Sequence, residues 1–556
     1  MTSMIDVARV NSARAADGLR LTPYEAMAQD LLFIRAELEA AGIPFLLIRG
    51  ADGRPALVVD IGLRARVAKA LMSACLEAPL RAKILDGTGR SSVYLRDGLL
   101  SSDPDPRLLR VFRRRECPRS GLRYGASAGV ELQFWVFDGM QAICPIENSL
   151  TRKALPLSEI VYTEVELHGR TWPTIAGMFS PHAGDVTFDI DMVFSWVDGN
   201  DPEFRARRAA AMTNHIVGEG DDADARIRHI DELKYALRSV HAFAPWVRRI
   251  FVVTDSPVPE WLAPHPKVTI VRAEDHFTDL SALPVYNSHA VETQLHHIPG
   301  LAEHFLYSND DMFFGRALSP TTFFSPGGVT KFIEAGTRIG LGPNHAERSG
   351  FENAARVNRQ LLWERFGKII TRHLEHTAAP LRKSVLCELE REFATDFART
   401  QASRFRASTD ISVTNSLYHY YALMTGRAVQ HESARVLYVD TTLRSGLAKL
   451  PMLLKKRKFD FFCLNDGSFP KWAHRSEPMS SVSSWRGTSR CPRRGSAQPQ
   501  TSEGSSGRGC VGSPRPLVLL LRCCPPPGGD IKQHRDHQRH QYPQNDRQID
   551  PAAEGR

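Results

Sequence analysis

No run of apolar residues in this chain approaches the ~18 that a membrane-crossing helix needs; the longest in its C-terminal part, Leu517 to Leu521, is far short of it. Met1 to Val10 lacks the apolar segment of a secretory signal. Both absences point to a cytoplasmic chain, attached at most peripherally to the inner face of a membrane. Nine cysteines are scattered with no C-x-x-C pair among them, which removes zinc-ribbon and thioredoxin-like readings. G-x-x-x-x-G-K-[ST] and H-E-x-x-H are also missing, so P-loop and zincin chemistry have no foothold. A broad basic surface is missing too. The net charge is +9, but fourteen Lys or Arg against seven Asp or Glu fall between Lys471 and Arg556, leaving the rest nearly balanced. Only that surplus suggests a nucleic-acid binder, whose salt-dependent binding would vanish with residues 471–556. Nucleic acid is not an expected partner of the folded body.

A chain of 556 residues exceeds one core, so several domains are expected. Residues 1–184 read as a small α+β accessory domain. It has an amphipathic helix over 24–41 that Gly42 ends, a hairpin turning at Asp52 and Gly53, a helix over 63–76, and strands near 92–96 and 130–137. Its role is packing or acceptor recognition. After the break at Ser180 to Gly184, residues 185–470 alternate strand and helix, the pattern of an α/β sheet with parallel pairing. Within them, about 350–430 reads as a helical subregion. Residues 471–556, with 10 Pro, 9 Gly and 11 Ser, have the composition of a disordered basic tail.

The most informative stretch is Y-S-N-D-D-M-F-F-G, Tyr307 to Gly315, in which Asp310 and Asp311 follow one apolar run and precede another. A carboxylate pair at a strand end suits a hard cation, Mg2+ or Mn2+, that takes its remaining ligands from water and phosphate. The same Asn-Asp-Asp composition also suits a plain turn. Phe188 to Val197 reads as a strand running into Asp198 and Asp201. Asp231 to Ala244 has helical spacing, with Asp231 and Glu232 placed to favour its N-terminus. Arg249 to Asp255 and Lys267 to Val271 read as further strands. Asn287 and Ser288 are expected to cap a helix carrying Glu292, His296 and His297 before Pro299 and Gly300. This arrangement sets Asp198, Asp255, Asp310 and Asp311 at carboxyl ends of strands, able to converge on one crevice. His373 and His376, spaced i, i+3, read as a solvated helix face rather than a metal pair. Phe459 to Gly467 repeats the strand-then-Asn-Asp pattern and ends on Asp466.

Taken together, residues 189–204, 231–255, 283–315 and 461–467 closely resemble the signature regions of the Stealth family of capsular and exopolysaccharide phosphotransferases, which is related to the lysosomal-enzyme N-acetylglucosamine-1-phosphotransferase. The resemblance covers about 186–470. The N-terminal unit resembles the extra domain of the CpsY-type members. What the family implies is a GT-A-like nucleotide-sugar-binding sheet. Its reaction transfers a sugar 1-phosphate from a nucleotide-diphosphate sugar to a glycan hydroxyl, releasing the nucleoside monophosphate for capsule or exopolysaccharide synthesis. On that resemblance Asp310, Asp311 and Asp466 hold the cation, and Arg404 and Arg406 clamp phosphate through their planar forks of donors. His376, whose unperturbed side-chain type titrates near ~6.5, is the general base, with Glu292 as its rival. Asp198, Asp201, Asp255, Asn287, Ser288 and Asn309 face the donor. An ordinary glycosyltransferase releasing the nucleoside diphosphate remains the alternative on the same sheet.

Overall fold

The computed structural model describes residues 21–76, 78–86, 92–97, 106–116, 123–213, 215–221 and 229–466. The tail expected over 471–556 lies outside them.

Helix α1 (Pro23–Ala40) starts on a reciprocal cap: the Glu25 N–H donates to Thr22 Oγ1 at 3.2 Å and the Thr22 N–H to the Glu25 carboxylate at 2.7 Å. Gly42, at φ +61°, adopts the left-handed conformation that stops it. Strands β1 (Leu46–Arg49) and β2 (Pro55–Asp60) form the expected hairpin. After α2 (Arg64–Ala74) come β3 (Leu80–Ile84), β4 (Val93–Tyr94), β5 (Leu108–Arg113) and β6 (Val130–Phe137). With β7 (Gln141–Ile143) and β8 (Ala154–Pro156) extending from β6, they make an eight-stranded sheet of order β1-β2-β6-β5-β3-β4. Leu31, Ile34, Leu38, Leu71 and Phe134 fill the space between helices and sheet. Asp30, fully buried on α1, receives both Arg113 and Arg115 and locks the helix to the sheet. The hairpin β9 (Tyr162–Leu167) and β10 (Arg170–Ile175) buries Trp172 in that core. Arg49 reaches past it to pair with Asp185, just before the second sheet begins.

That sheet consists of β11 (Ile190–Ser195), β12 (Ile250–Val253), β13 (Val268–Val271), β14 (His304–Asn309) and an edge strand. Helix α3 (Pro202–Ala211) follows β11, α4 (Glu232–Phe243) precedes β12, and α5 (Ser288–Glu292) precedes β14. The spatial order is β13-β12-β11-β14, all parallel. The chain leaves β11 on one side and returns on the other, which opens a crevice at the carboxyl ends between β11 and β14. Strands β11 and β12 are apolar almost throughout because packing covers both faces. The exception is Asp191, fully buried at the foot of β11. It accepts two bonds from Arg248, at 2.8 and 2.6 Å, and backbone N–H bonds from Arg249 and Ala302. A buried carboxylate this fully bonded holds three segments in register.

Beyond β14 a turn at Asp310 and Asp311 leads into β15 (Met312–Phe314). The region around 350–430 is less helical than expected. Strand β16 (Glu334–Arg338) and helix α6 (Gly350–Phe366) are followed by β17 (Arg372–Leu374), which pairs with β16. Next, β18 (Ala379–Arg382) joins the edge of the second sheet antiparallel to β14. His373 and His376 therefore share no helix face. His373 is buried on β17 and stacks on Phe351 with centroids 4.5 Å apart, and His376 lies in the turn before β18. Pro380 sits in an edge strand, where its missing N–H costs no ladder bond. Helices α7 (Lys383–Glu392), α8 (Ala394–Gln401) and α9 (Tyr418–Met424) complete the subregion. The chain then returns through β19 (Val436–Asp440) and β20 (Phe461–Asn465), and β20 pairs antiparallel with β15. The helix expected from Asn287 through His297 is also shorter. The Thr293 hydroxyl bonds back to the Ala290 carbonyl, α5 ends, and His296 and His297 occupy a separate 3-10 turn.

His419, buried on α9, bonds the Thr414 carbonyl at 3.0 Å across a π-helical turn. Burial pushes its imidazole down to about 4, below the ordinary 6.5. The folded state then binds fewer protons than the unfolded chain, so this group's contribution is complete above about pH 6.5 and is lost as pH falls towards about 4. Melting temperature should decline across that window, and His419→Gln should flatten the decline relative to wild type. Calorimetry at a series of pH values measures both slopes.

Candidate active site

Adjacent in sequence, Asp310 and Asp311 turn to different neighbours. Asp310, Glu232 and His229 bring one ligand-type atom each within 4.8 Å of one another. Glu232 is at the first turn of α4, behind Asp231 in a left-handed conformation at φ +70°. Its carboxylate accepts the Ile230 N–H at 2.6 Å and lies 3.2 Å from His229 Nδ1. Although part of Asp310 reaches solvent, burial pushes its carboxyl well above the usual carboxylate range, Asp311 and Glu232 add to this, and His229 opposes it. Burial disfavours charge on His229, but Glu232, Asp310 and Asp198 outweigh it and raise its pKa. Acids and imidazole thus form one mutually dependent cluster.

Asp311 faces β20. Its Oδ2 accepts from Asn465 Nδ2 at 2.9 Å and from the Cys463 thiol at 3.4 Å, while its Oδ1 is buried with no hydrogen-bond partner. Burial, reinforced by Asp311, keeps the proton on that thiol. An orphaned carboxylate oxygen beside a second carboxyl is what a hard cation would satisfy. The residues therefore fit a divalent ion, with Asp310, Glu232 and His229 as the close three-ligand group and the unpartnered oxygen of Asp311 beside it. An imidazole in the set suits Mn2+ at least as well as Mg2+. Asp466, one residue past β20, gives its carboxylate to the Thr441 hydroxyl, and no three-ligand group among the described residues includes it.

Beneath the acids, the Tyr307 hydroxyl lies 2.8 Å from Ser195 Oγ and 3.4 Å from Asn309 Oδ1. Burial holds that phenol protonated, aided by the fields of Glu292 and Asp310 and opposed by Arg406. Glu292 is 2% exposed and accepts the Thr414 N–H at 3.2 Å. Arg406 spans Asp221, at 3.1 Å, and the Ser288 hydroxyl, at 3.1 Å. Arg404 is exposed, and its backbone carbonyl accepts the Tyr286 N–H at 2.8 Å. Asn287 fixes that loop, since its Nδ2 donates to the carbonyls of Ser403 and Phe405 and to Asp410, while its Oδ1 caps α5.

His376 reaches the crevice by register. Tyr307 pairs with Ala379 and β18 runs antiparallel to β14, so the residues before Ala379 lie beside the end of β14. Its ring contacts Tyr438 with centroids 5.0 Å apart, the Tyr438 hydroxyl donates to Asn465 at 3.0 Å, and Asn465 holds Asp311. On the β11 side, Asp198 receives the Asn200 N–H and donates its own N–H to Ser256. Asp201 caps α3 through the Glu203 N–H, and Asp255, exposed, braces the loop after β13 through the Ala273 N–H. The crevice thus gathers Asp198, Ser288, Glu292, Asn309, Asp310, Asp311, His376 and Arg406. Asp201, Asp255 and Asn287 hold backbone instead. His229, Glu232, Tyr307 and Asn465 are additions from the structure. Tyr307 and Asn465 fall inside the two Asn-Asp stretches, Glu232 showed only as a charge at a helix start, which a structural role explains equally well, and His229 had no local signal.

The site lies on a largely parallel sheet with its acids at the strand-order switch, flanked by an arginine loop and a histidine. Stealth protein conserved region 1 matches residues 188–216, conserved region 2 residues 226–332 and conserved region 3 residues 375–423. Between them they contain every crevice residue just named except Asn465. The chain belongs to the Stealth family of exopolysaccharide phosphotransferases. It is 67% identical over 459 residues to exopolysaccharide phosphotransferase CpsY of Mycobacterium tuberculosis, covering 83% of this chain and 86% of that one. It is 56% identical over 467 residues to an exopolysaccharide phosphotransferase of Nocardia farcinica, covering 84% and 87%. Among solved structures, galactosyltransferase LgtC with donor and acceptor sugar analogues aligns with 49% of this chain and 86% of its own, at 12% identity and a TM-score of 0.24. No helix among the described residues is long and apolar enough to cross a membrane.

Proposed function

We propose that this chain transfers a hexose or hexosamine 1-phosphate from a nucleotide-diphosphate sugar to a glycan hydroxyl and releases the nucleoside monophosphate. The observation that carries this reading is the buried, unpartnered Oδ1 of Asp311 beside Asp310 at the sheet's switch point. A divalent cation held by these acids would neutralise diphosphate charge and polarise the phosphoryl oxygens. Arg404 carries an exposed guanidinium for the phosphates, and Arg406, braced by Asp221 and Ser288, fixes the loop that presents it. The acceptor oxygen attacks the β-phosphorus and the bond from that phosphorus to the bridging oxygen breaks. The monophosphate leaves with the bridging oxygen, and the acceptor's proton passes to a ring nitrogen of His376. Half-buried at the crevice edge, His376 is better placed for this than Glu292, whose carboxylate is buried and occupied by the Thr414 amide. Asp198 and Asn309 face the donor.

Incubation with UDP-N-acetylhexosamine, Mg2+ or Mn2+ and an acceptor glycan should yield UMP as the nucleotide product, read by ion-exchange chromatography. UDP as the sole product would establish glycosyl transfer instead.

A further inference from the structure

A second group of ligand-type side chains lies apart from the crevice. Between α5 and β14, in the 3-10 turn, His296 and His297 place their rings 4.0 Å apart and share one carboxylate. His296 Nε2 is 2.9 Å from one oxygen of Glu390, on α7, and His297 Nε2 is 3.2 Å from the other. These separations are close to those between neighbouring ligands around a zinc-sized ion, whose bonds to nitrogen and oxygen are ~2.0–2.2 Å. The back of the group is closed and its front is open: the His296 side chain is 0% exposed, and those of His297 and Glu390 are 29% exposed.

His296 is 1% exposed and turns its Nε2 to Glu390, while its buried Nδ1 lies on the other side of the ring. His276, 3% exposed, is buried nearby in the chain, with its Nδ1 2.8 Å from the Arg272 carbonyl oxygen. The loop carrying His276 is tied to this segment by the Thr278 N–H bonded to Gln294 at 3.1 Å. Two imidazoles and one carboxylate on two chain segments thus bring their ligand atoms within 4.8 Å of one another. The crevice is at the other end of this connection: α5 and the following turn span ~14 Å at helical rise from Ser288, beside Arg406, to His297.

We propose that His296, His297 and Glu390 form a structural site for a borderline divalent metal of the zinc class. It staples α7 to the segment that feeds β14. Two imidazoles and a carboxylate are a recognised zinc set with a fourth position for water or another imidazole. The staple joins the sheet to the helices that lead into the Arg404 and Arg406 loop, so its effect is on stability rather than on which nucleotide is released.

The test uses the full chain carrying Asp310→Asn, which disables the competing His229, Glu232 and Asp310 group. This metal-stripped protein should bind one equivalent of Co2+ with the visible absorption of a low-coordinate cobalt site. Zn2+ should displace the cobalt and raise the melting temperature by several degrees. His297→Gln and Glu390→Gln, at half-exposed positions that circular dichroism checks for folding, should each weaken Zn2+ binding at least ~100-fold and abolish that rise. If no equivalent binds, or if binding and the rise survive both substitutions, the group is an ion pair and the proposal falls. None of these readouts depends on catalytic activity.

Discussion

Asp311→Ala is expected to lower turnover by orders of magnitude while leaving the melting temperature unchanged or slightly higher. The two halves of this result have one cause. Asp311 places a carboxylate out of water with one oxygen unpartnered, which costs folding free energy unless a cation compensates. Removing it relieves that cost and leaves the Asn465 amide without its acceptor, a loss of about 1 kcal/mol. The net effect on folding is therefore small. Catalysis loses a charge aimed at the diphosphate, in the class of electrostatic contributions that dominate phosphoryl transfer. Steady-state UMP release and differential scanning calorimetry on the same preparation decide the matter. Normal turnover in a folded protein would remove Asp311 from the site. A large drop in melting temperature would make it a structural residue.

The same tension separates what could be read from the sequence from what could not. The strand from His304 was legible as a short apolar run, whereas its Asn-Asp-Asp ending suited a plain turn as well as a cation site, and a turn is what joins the two strands there. The parallel order was legible because strand and helix alternate from Phe188 to Gly315. His229 was not. It comes before α4 in a stretch with no periodicity, and only the fold brings it to an aspartate some eighty residues later. Glu232 was visible but misleading, since a glutamate at a helix start already has a dipole explanation. Around 350–430 the helical reading failed at β17 and β18, which have too few residues to show a period of two. Pro380 was the available warning. Asp201 and Asn287 show the opposite limit: Asp and Asn before a helix supply caps as readily as ligands, and composition cannot separate the two uses.

His376→Gln is expected to lower kcat by roughly 10²–10⁴-fold with little change in KM for the donor, the range for loss of a positioned proton acceptor. Glutamine approximates the size of imidazole and its polar tip but cannot take a proton at neutral pH, so packing against Tyr438 is largely retained. Tyr438→Phe provides the contrast. It keeps the ring against His376 and removes the hydroxyl that bonds Asn465, so a small effect there would assign the His376 loss to proton transfer rather than to displacement of Asp311. Glu292→Gln should act differently, since its carboxylate accepts the Thr414 amide in the interior: the melting temperature should fall and much of kcat should survive in the folded fraction. Should Glu292→Gln abolish turnover without unfolding, while His376→Gln remains active, the two roles must be exchanged. Asp310 and Asp311 would keep theirs, because the charge on the diphosphate must be neutralised whichever residue accepts the proton.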